Sequence, residues 1–289
     1  MPDAVVADPR PASTVVVLRD GTAGPDVFMV RRHEGSVFMG GAYVFPGGRV
    51  DAADRDGDAS WCDGIEHAVA QLPGVDRAEA IAYHVAAARE LFEEAGVLVA
   101  RTADGTMVSL AGAAHERFKQ YRGDVHSSAS TFRAIMEREG LRLAFDALVV
   151  LAHWVTPPID TRQFDTRFFV TRVPPNQWPA HDQTETTHGL WLTPARAIAD
   201  ATSGDIVLPP PTWTTLRELE RFTTVEEALA WARSRCVVRR QPKLVDEPGR
   251  RMLLLPGDPL YQEVEDPEQP AETRFVLVDK RWRAERSDH

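Results

Sequence analysis

The chain has 289 residues, 43% hydrophobic and 26% charged, with a formal net charge of −10. That length can bury a sizeable core in one elaborated domain, and the balance is globular rather than disordered. The acidic excess argues against grip on a nucleic-acid backbone, and no apolar run approaches the ~20 residues that span a bilayer.

The N-terminus "MPDAVVADPRPAS" lacks the basic and apolar regions of a secretory leader. Cys62 and Cys236 are too few for a disulfide framework and lack metal-ligand spacing, so cytoplasm is the expected compartment.

In chain order, "STVVVLRD" and "PDVFMVRR" are β-branched runs around "GTAG", which predicts a hairpin. "GAYVFPGG" predicts a third strand ending in a Pro-Gly-Gly turn. From Val50 to Asp76 the composition shifts to Asp, Gly and Ala, an insertion or loop excursion with a short helix expected over Trp61 to Gln71. A helix is expected from Arg77 to Ala95, stopped by Gly96, with "VLVA" as a strand after it. Residues 113 to 139 predict two short helices around "GDVHSSAS", with Ser128 or Ser130 as an N-cap.

"LVVLAHWVTP", "RFFVTRVP" and "GLWLTP" are further strands, while "PARAIADA", "TWTTLRELERF" and "TVEEALAWARSR" are helices. Thr193 is expected to cap the first of these, with Pro194 at its first position, and Thr224 with Glu227 the third. In the tail, "RRMLLLPGD" and "TRFVLVDKRW" predict two more strands.

On the helix ending at Ala95, Glu90, Glu93 and Glu94 share one face. Ile81, Val85, Ala88, Leu91, Phe92 and Ala95 form an apolar stripe opposite, and Ala86 and Ala87 leave room one turn back. Like charges at these spacings repel and, near a helix C-terminus, oppose its dipole. A solvated helix face is the plain alternative. A divalent cation resolves the conflict, since Mg²⁺ and Mn²⁺ take hard oxygen ligands and leave positions for water and phosphate. Arg89 stands where a guanidinium can orient the carboxylates.

"GGRVD" followed by "ARELFEEAGV" resembles the Nudix hydrolase box: Gly, five residues, Glu, seven residues, then Arg-Glu-apolar-x-Glu-Glu-x-Gly-apolar. Arg89, Glu90, Leu91, Glu93, Glu94, Gly96 and Val97 match its second half, and Gly48 takes its first position. Gly48 and Arg89 lie 41 positions apart, so about 27 residues are inserted. Ile81, eight before Arg89, stands where the box has its first Glu, and Glu79 is the nearest acid. An insertion there resembles the branch with the peroxisomal coenzyme A and acyl-coenzyme A diphosphatases and their bacterial relatives. "HWVTPPIDTRQFDTRFFV", "HDQTETTHGLWLTPARAI" and "LPPPTWTTLREL" are similar to that branch too, and the likeness runs from about Ser13 to Phe222.

The resemblance implies an α/β fold, a Nudix-type α/β/α sandwich with a mixed sheet. One elaborated domain is expected over 1–289, with a core at about 13–222, insertions near 52–78 and 113–139, and a C-terminal extension at 223–289. It implies a metal-dependent diphosphatase using Mg²⁺ or Mn²⁺ held by Glu90, Glu93 and Glu94, with Arg89 beside them and Gly47 and Gly48 letting the backbone come close. Coenzyme A or acyl-coenzyme A, cleaved to 3′,5′-ADP and an (acyl-)phosphopantetheine, is the expected substrate. ADP-ribose, a dinucleotide or an oxidised nucleotide is the alternative. A catalytically silent ligand-binding module is the alternative of another class.

Family members take the general base from the box or from a loop outside it. Glu185 is the outside candidate, with Asp182 and His181 behind it; a polar surface loop is the alternative reading of "HDQTET". Arg31 and Arg32 are candidates for substrate phosphate or ordinary surface charge. Phe38, Tyr43 and Trp154 could stack a purine, although core packing is favoured. Arg162, Asp165 and Arg167 are expected to form a structural salt-bridge set. The expected partner is a small nucleotide-diphosphate molecule, not nucleic acid or membrane, and a homodimer is expected by analogy alone.

Overall fold

Val15, Val16, Val17 and Leu18 are all fully buried, because the strand that carries them is covered on both faces. The computed structural model describes residues 8–35, 39–127, 131–158, 162–182, 186–261, 263–279 and 281–286. The buried strand, β1 (Arg10–Gly21), pairs antiparallel with β2 (Gly24–Arg32) in the expected hairpin. The expected third strand divides into β3 (Tyr43–Val44), which pairs with β2, and β4 (Gly47–Arg49), which pairs with β1. Pro46 lies at the break and has no N–H to continue a ladder. Its carbonyl accepts from Val15 N at 2.8 Å.

The segment after β4 is more ordered than a loop excursion. A 3-10 helix, Ala52–Asp56, leads to β5 (Cys62–Asp63) and α1 (Ile65–Ala70). The last starts four residues later than expected because Gly64 adopts a left-handed φ of 76° at its N-cap. The helix α2 (Arg77–Ala95) has the predicted bounds. Asp76 accepts from Glu79 N at its start, and Gly96 at φ 67° ends it.

"VLVA" is buried, but only β6 (Ala100–Arg101) is strand. The two helices of the next segment are α3 (Ala113–Ser127) and α4 (Thr131–Glu139); the proposed caps Ser128 and Ser130 lie outside the described residues. β7 (Arg142–Ala144) pairs with β5 and β6 in a three-stranded sheet. The two insertions therefore support each other: Trp61 packs edge-on to Phe132 at 6.4 Å, and Arg133 Nη1 donates to Asp56 O at 3.2 Å.

The main sheet is completed by β8 (Val149–Val155), β9 (Phe164–Arg172) and β10 (Thr186–Leu192). Then come α5 (Pro194–Ser203), α6 (Pro210–Leu219), α7 (Val225–Ser234) and β11 (Arg239–Arg240). Thr193 caps α5, with Pro194 at its first turn, and Thr224 and Glu227 form the expected capping box on α7. The strand order is β10-β2-β1-β9-β8-β11, with β1/β9 and β8/β11 parallel and the other pairs antiparallel. Val15, Val17, Phe28 and Val30 face the layer of α1 to α4; Val16, Leu18, Val27 and Met29 face that of α5 to α7. The mixed sheet between helical layers is the expected α/β/α sandwich.

The tail forms more than the two expected strands. β12 (Lys243–Glu247), β13 (Arg250–Leu254), β14 (Arg274–Val278) and β15 (Arg281–Glu285) make a separate antiparallel sheet in sequential order. Alternate residues Leu253, Leu255 and Phe275 join the α5–α7 core, while Met252, Leu254 and Val276 cluster on the other face. Buried Arg240 joins Glu218 of α6 to Asp266 at 2.8 and 2.7 Å, fastening this sheet's connection to the core. No helix among the described residues is long and apolar enough to cross a membrane.

Inside the α2 layer, fully buried His84 packs against Phe145 and Phe169 at 5.2 and 4.7 Å, and its Nδ1–H donates to Ala80 O at 2.8 Å. Burial pushes its pKa down to about 4. Between that value and the unfolded value near 6.5, only the unfolded chain binds the proton. Stability therefore falls as pH drops from about 6.5 to 4, by about 3 kcal/mol in total from this group. Unfolding free energies measured across that range should show the slope, and His84→Leu should remove this share of it.

Candidate active site

Arg89 is 2% exposed, and its guanidinium meets carboxylates on two sides. Burial alone disfavours its charge, but Asp54 and Glu90 outweigh that and hold it protonated. Its Nε and Nη2 donate to both oxygens of Asp54, each at 2.9 Å, and Nη2 also donates to Arg49 O at 2.9 Å. Nη1 donates to Glu90 Oε1 at 2.9 Å and Glu93 Oε1 at 2.8 Å. One cation therefore hydrogen-bonds to three carboxylates, with a fourth, that of Asp51, 3.7 Å from Nη2.

Asp54 is the partner that the sequence reading missed. Counted back from Arg89, the first acid of the box falls on Ile81, which packs in the core. Counted forward from Gly48 with five residues between, it falls on Asp54. Asp54, 1% exposed, also accepts from Asp51 N at 2.7 Å, which ties the 3-10 helix to Arg89. The insertion therefore follows the first acid instead of replacing it. Glu79 instead pairs with Arg55 at 2.9 Å, bracing the same 3-10 helix.

The glycines come in from β4. Gly47 N donates to Glu94 Oε2 at 2.9 Å. A Cβ on Gly48 would stand 2.5–2.6 Å from the Glu90 carboxylate, so only glycine allows that approach. Ala86 and Ala87 are both fully buried in the core beside α2, so what comes close to their small side chains is the protein's own core.

Burial raises the Glu90 pKa to about 7, with Arg89 opposing and Glu93 reinforcing the rise. Glu93 is also raised by burial, against Arg89. The pair is thus short of positive charge, and its donor set is all oxygen, which suits a hard divalent cation. Among the described residues no three His, Cys, Asp or Glu side chains are gathered as a preformed metal cluster. Glu90 and Glu93 share Arg89, while Glu94 turns to Gly47.

α3 covers the end of α2: Arg122 Nε donates to Glu93 O at 2.7 Å, and His126 Nδ1 lies 3.9 Å from Glu93 Oε2. These two residues were not singled out in the sequence, where their segment carries no motif. Ala180 N donates to Ala95 O at 2.9 Å, so the loop leading to Asp182 is pinned to the same helix end. Asp182 accepts from Thr186 N and Oγ1 at 2.9 and 2.7 Å. The His181 ring lies 6.4 Å from that of His188. Glu185 lies outside the described residues, as does Phe38.

Arg31 turns to Glu34 at 2.9 Å, whereas Arg32 lines a cavity of about 460 Å³ together with Gly47 and Trp154. Trp154 and Tyr43 pack with the α5–α7 core. The expected salt-bridge set contains Asp165 and Arg167 at 2.5 Å, but its other member is His153 at 2.9 Å rather than Arg162. Both cysteines are free, and burial pushes the Cys62 thiol up to about 12.

Residues 73–221 match the model of the NUDT19 Nudix domain. The chain is 31% identical over 270 residues to the human protein named acyl-coenzyme A diphosphatase NUDT19, covering 81% of this chain and 71% of that one. It is 26% identical over 295 residues to the Xenopus laevis protein of the same name, covering 90% and 77%. A crystal structure of a Nudix hydrolase from Alicyclobacillus acidocaldarius superposes with a TM-score of 0.64 at 26% identity, over 78% of this chain and 97% of that one. With the Arg89 and Glu94 contacts in place on α2, the chain belongs to the family of NUDT19 Nudix domains.

Proposed function

We propose that the chain is a metal-dependent diphosphatase that hydrolyses coenzyme A or acyl-coenzyme A to 3′,5′-ADP and phosphopantetheine or its acylated form. The observation that carries this reading is that similarity to proteins named acyl-coenzyme A diphosphatase extends over 81–90% of the chain, well beyond the box itself. In the reaction, water adds its oxygen to one phosphorus while the anhydride P–O bond breaks.

Glu90, Glu93 and Glu94 are the residues that would hold Mg²⁺ or Mn²⁺. When bound, the ion neutralises diphosphate charge and lowers the pKa of water. The protein's share is orientation. Arg89 sets the Glu90 and Glu93 carboxylates, and Gly47 N–H sets Glu94. Gly48 keeps the loop against Glu90. Glu185 is the proposed acceptor of the water proton, by its place in the sequence five residues after Ala180.

The test is a panel of coenzyme A, acyl-coenzyme A, ADP-ribose, NADH and oxidised nucleotides with Mg²⁺ or Mn²⁺, read by mass. Release of 3′,5′-ADP is the expected result. Cleavage of ADP-ribose with coenzyme A untouched would overturn the substrate assignment.

A further inference from the structure

The cavity beside Gly47 has a far wall that the shared sandwich does not supply. Leu244, Leu253, Leu277 and Trp282, one from each strand of the C-terminal sheet, line it together with Phe168 of β9. Register explains the placement: Leu244 pairs with Leu253 and Leu277 with Trp282, so all four point from the sheet face that meets the core. The lining is dominated by aliphatic and aromatic side chains, and about 460 Å³ lies within the range of small-molecule sites.

Two observations mark this space as a ligand site, the first of which ties it to the reacting centre. Gly47 lines it and also donates its N–H to Glu94. Arg32 Nε and Trp154 Nε1, both on residues that line it, are buried without a hydrogen-bond partner. Buried donors of this kind are rare unless a ligand or water completes them.

We propose that the cavity takes the acyl chain of an acyl-coenzyme A, with Arg32 and Trp154 available to carbonyl oxygens of the pantetheine arm. This rests on the diphosphatase reading above. An acyl chain gains from each methylene that leaves water, and Leu244, Leu253, Leu277 and Trp282 offer it apolar surface, while Arg251, which also lines the space, is already paired with Asp246 at 2.7 Å. The C-terminal sheet is then a specificity element: it makes the enzyme favour acylated over free coenzyme A.

The test uses the full chain with Mg²⁺ and compares free coenzyme A with acetyl, butanoyl, hexanoyl and octanoyl thioesters. KM should fall with chain length, by up to about fourfold per methylene, with kcat little changed. Leu277→Trp and, independently, Leu244→Trp should lower the octanoyl-to-free ratio of kcat/KM at least tenfold. Both residues are only half-buried, and thermal unfolding would check that each variant is folded. Val278→Trp, at an exposed position on the opposite face of the same strand, should keep the ratio.

Cleavage of every thioester with no dependence of KM on chain length would overturn the acyl site and leave the diphosphatase reading standing. Equal losses on octanoyl and free coenzyme A in both Leu variants would place the shared nucleotide in the cavity and also overturn it. Failure to cleave any coenzyme A species, with another diphosphate hydrolysed, would remove both readings.

Discussion

Arg89→Leu is expected to lower the unfolding free energy by about 3–5 kcal/mol, because it leaves the buried Asp54 carboxylate without its partner. The side chains of Arg89 and Asp54 are 3% and 2% exposed, so water cannot take over the lost hydrogen bonds. Urea unfolding of the purified variant measures the loss. The double variant with Asp54→Leu should recover part of it, since removing both charges avoids the orphaned one. A loss below about 1 kcal/mol in the single variant would show that the pair is more solvated than its geometry indicates.

Glu94→Gln is expected to reduce kcat/KM by about 10²- to 10³-fold, through loss of one negative oxygen ligand, with little change in stability. Stability should hold because a Gln carbonyl oxygen can still accept the Gly47 N–H. Steady-state turnover of the best substrate in the panel, paired with thermal unfolding, separates the two effects. Retained turnover would mean that the carboxylate face is not where the metal acts.

The helix that bears these residues was fully legible. Its Ala and Glu content and the Gly96 stop are local signals, and local signals survive whatever packs around them; the Asp76 cap was seen only in the structure. The same holds for the Thr224 and Glu227 capping box and for the β1–β2 hairpin. The matching half of the box pointed to the carboxylate face because helical spacing alone puts Glu90, Glu93 and Glu94 together.

Other features depended on which distant segments meet. Whether Asp54 or a residue near Ile81 answers Arg89 depends on where the insertion leaves the chain, and the two counting directions disagree. Only the fold, which lays Ala52–Asp56 against α2, selects Asp54. The "VLVA" run is buried but mostly not strand, since burial and apolar character do not by themselves supply a pairing partner.

By itself, then, the sequence determined the elements whose signals are periodic or capped, and with them the acidic face of α2. Tertiary structure alone decided how that face is balanced, because one buried guanidinium chooses among several acids by position rather than by residue type. It also decided the use of the tail. Leu244, Leu253 and Leu277 are unremarkable in the sequence until strand register turns them toward the core, where they line a cavity that Gly47 also lines.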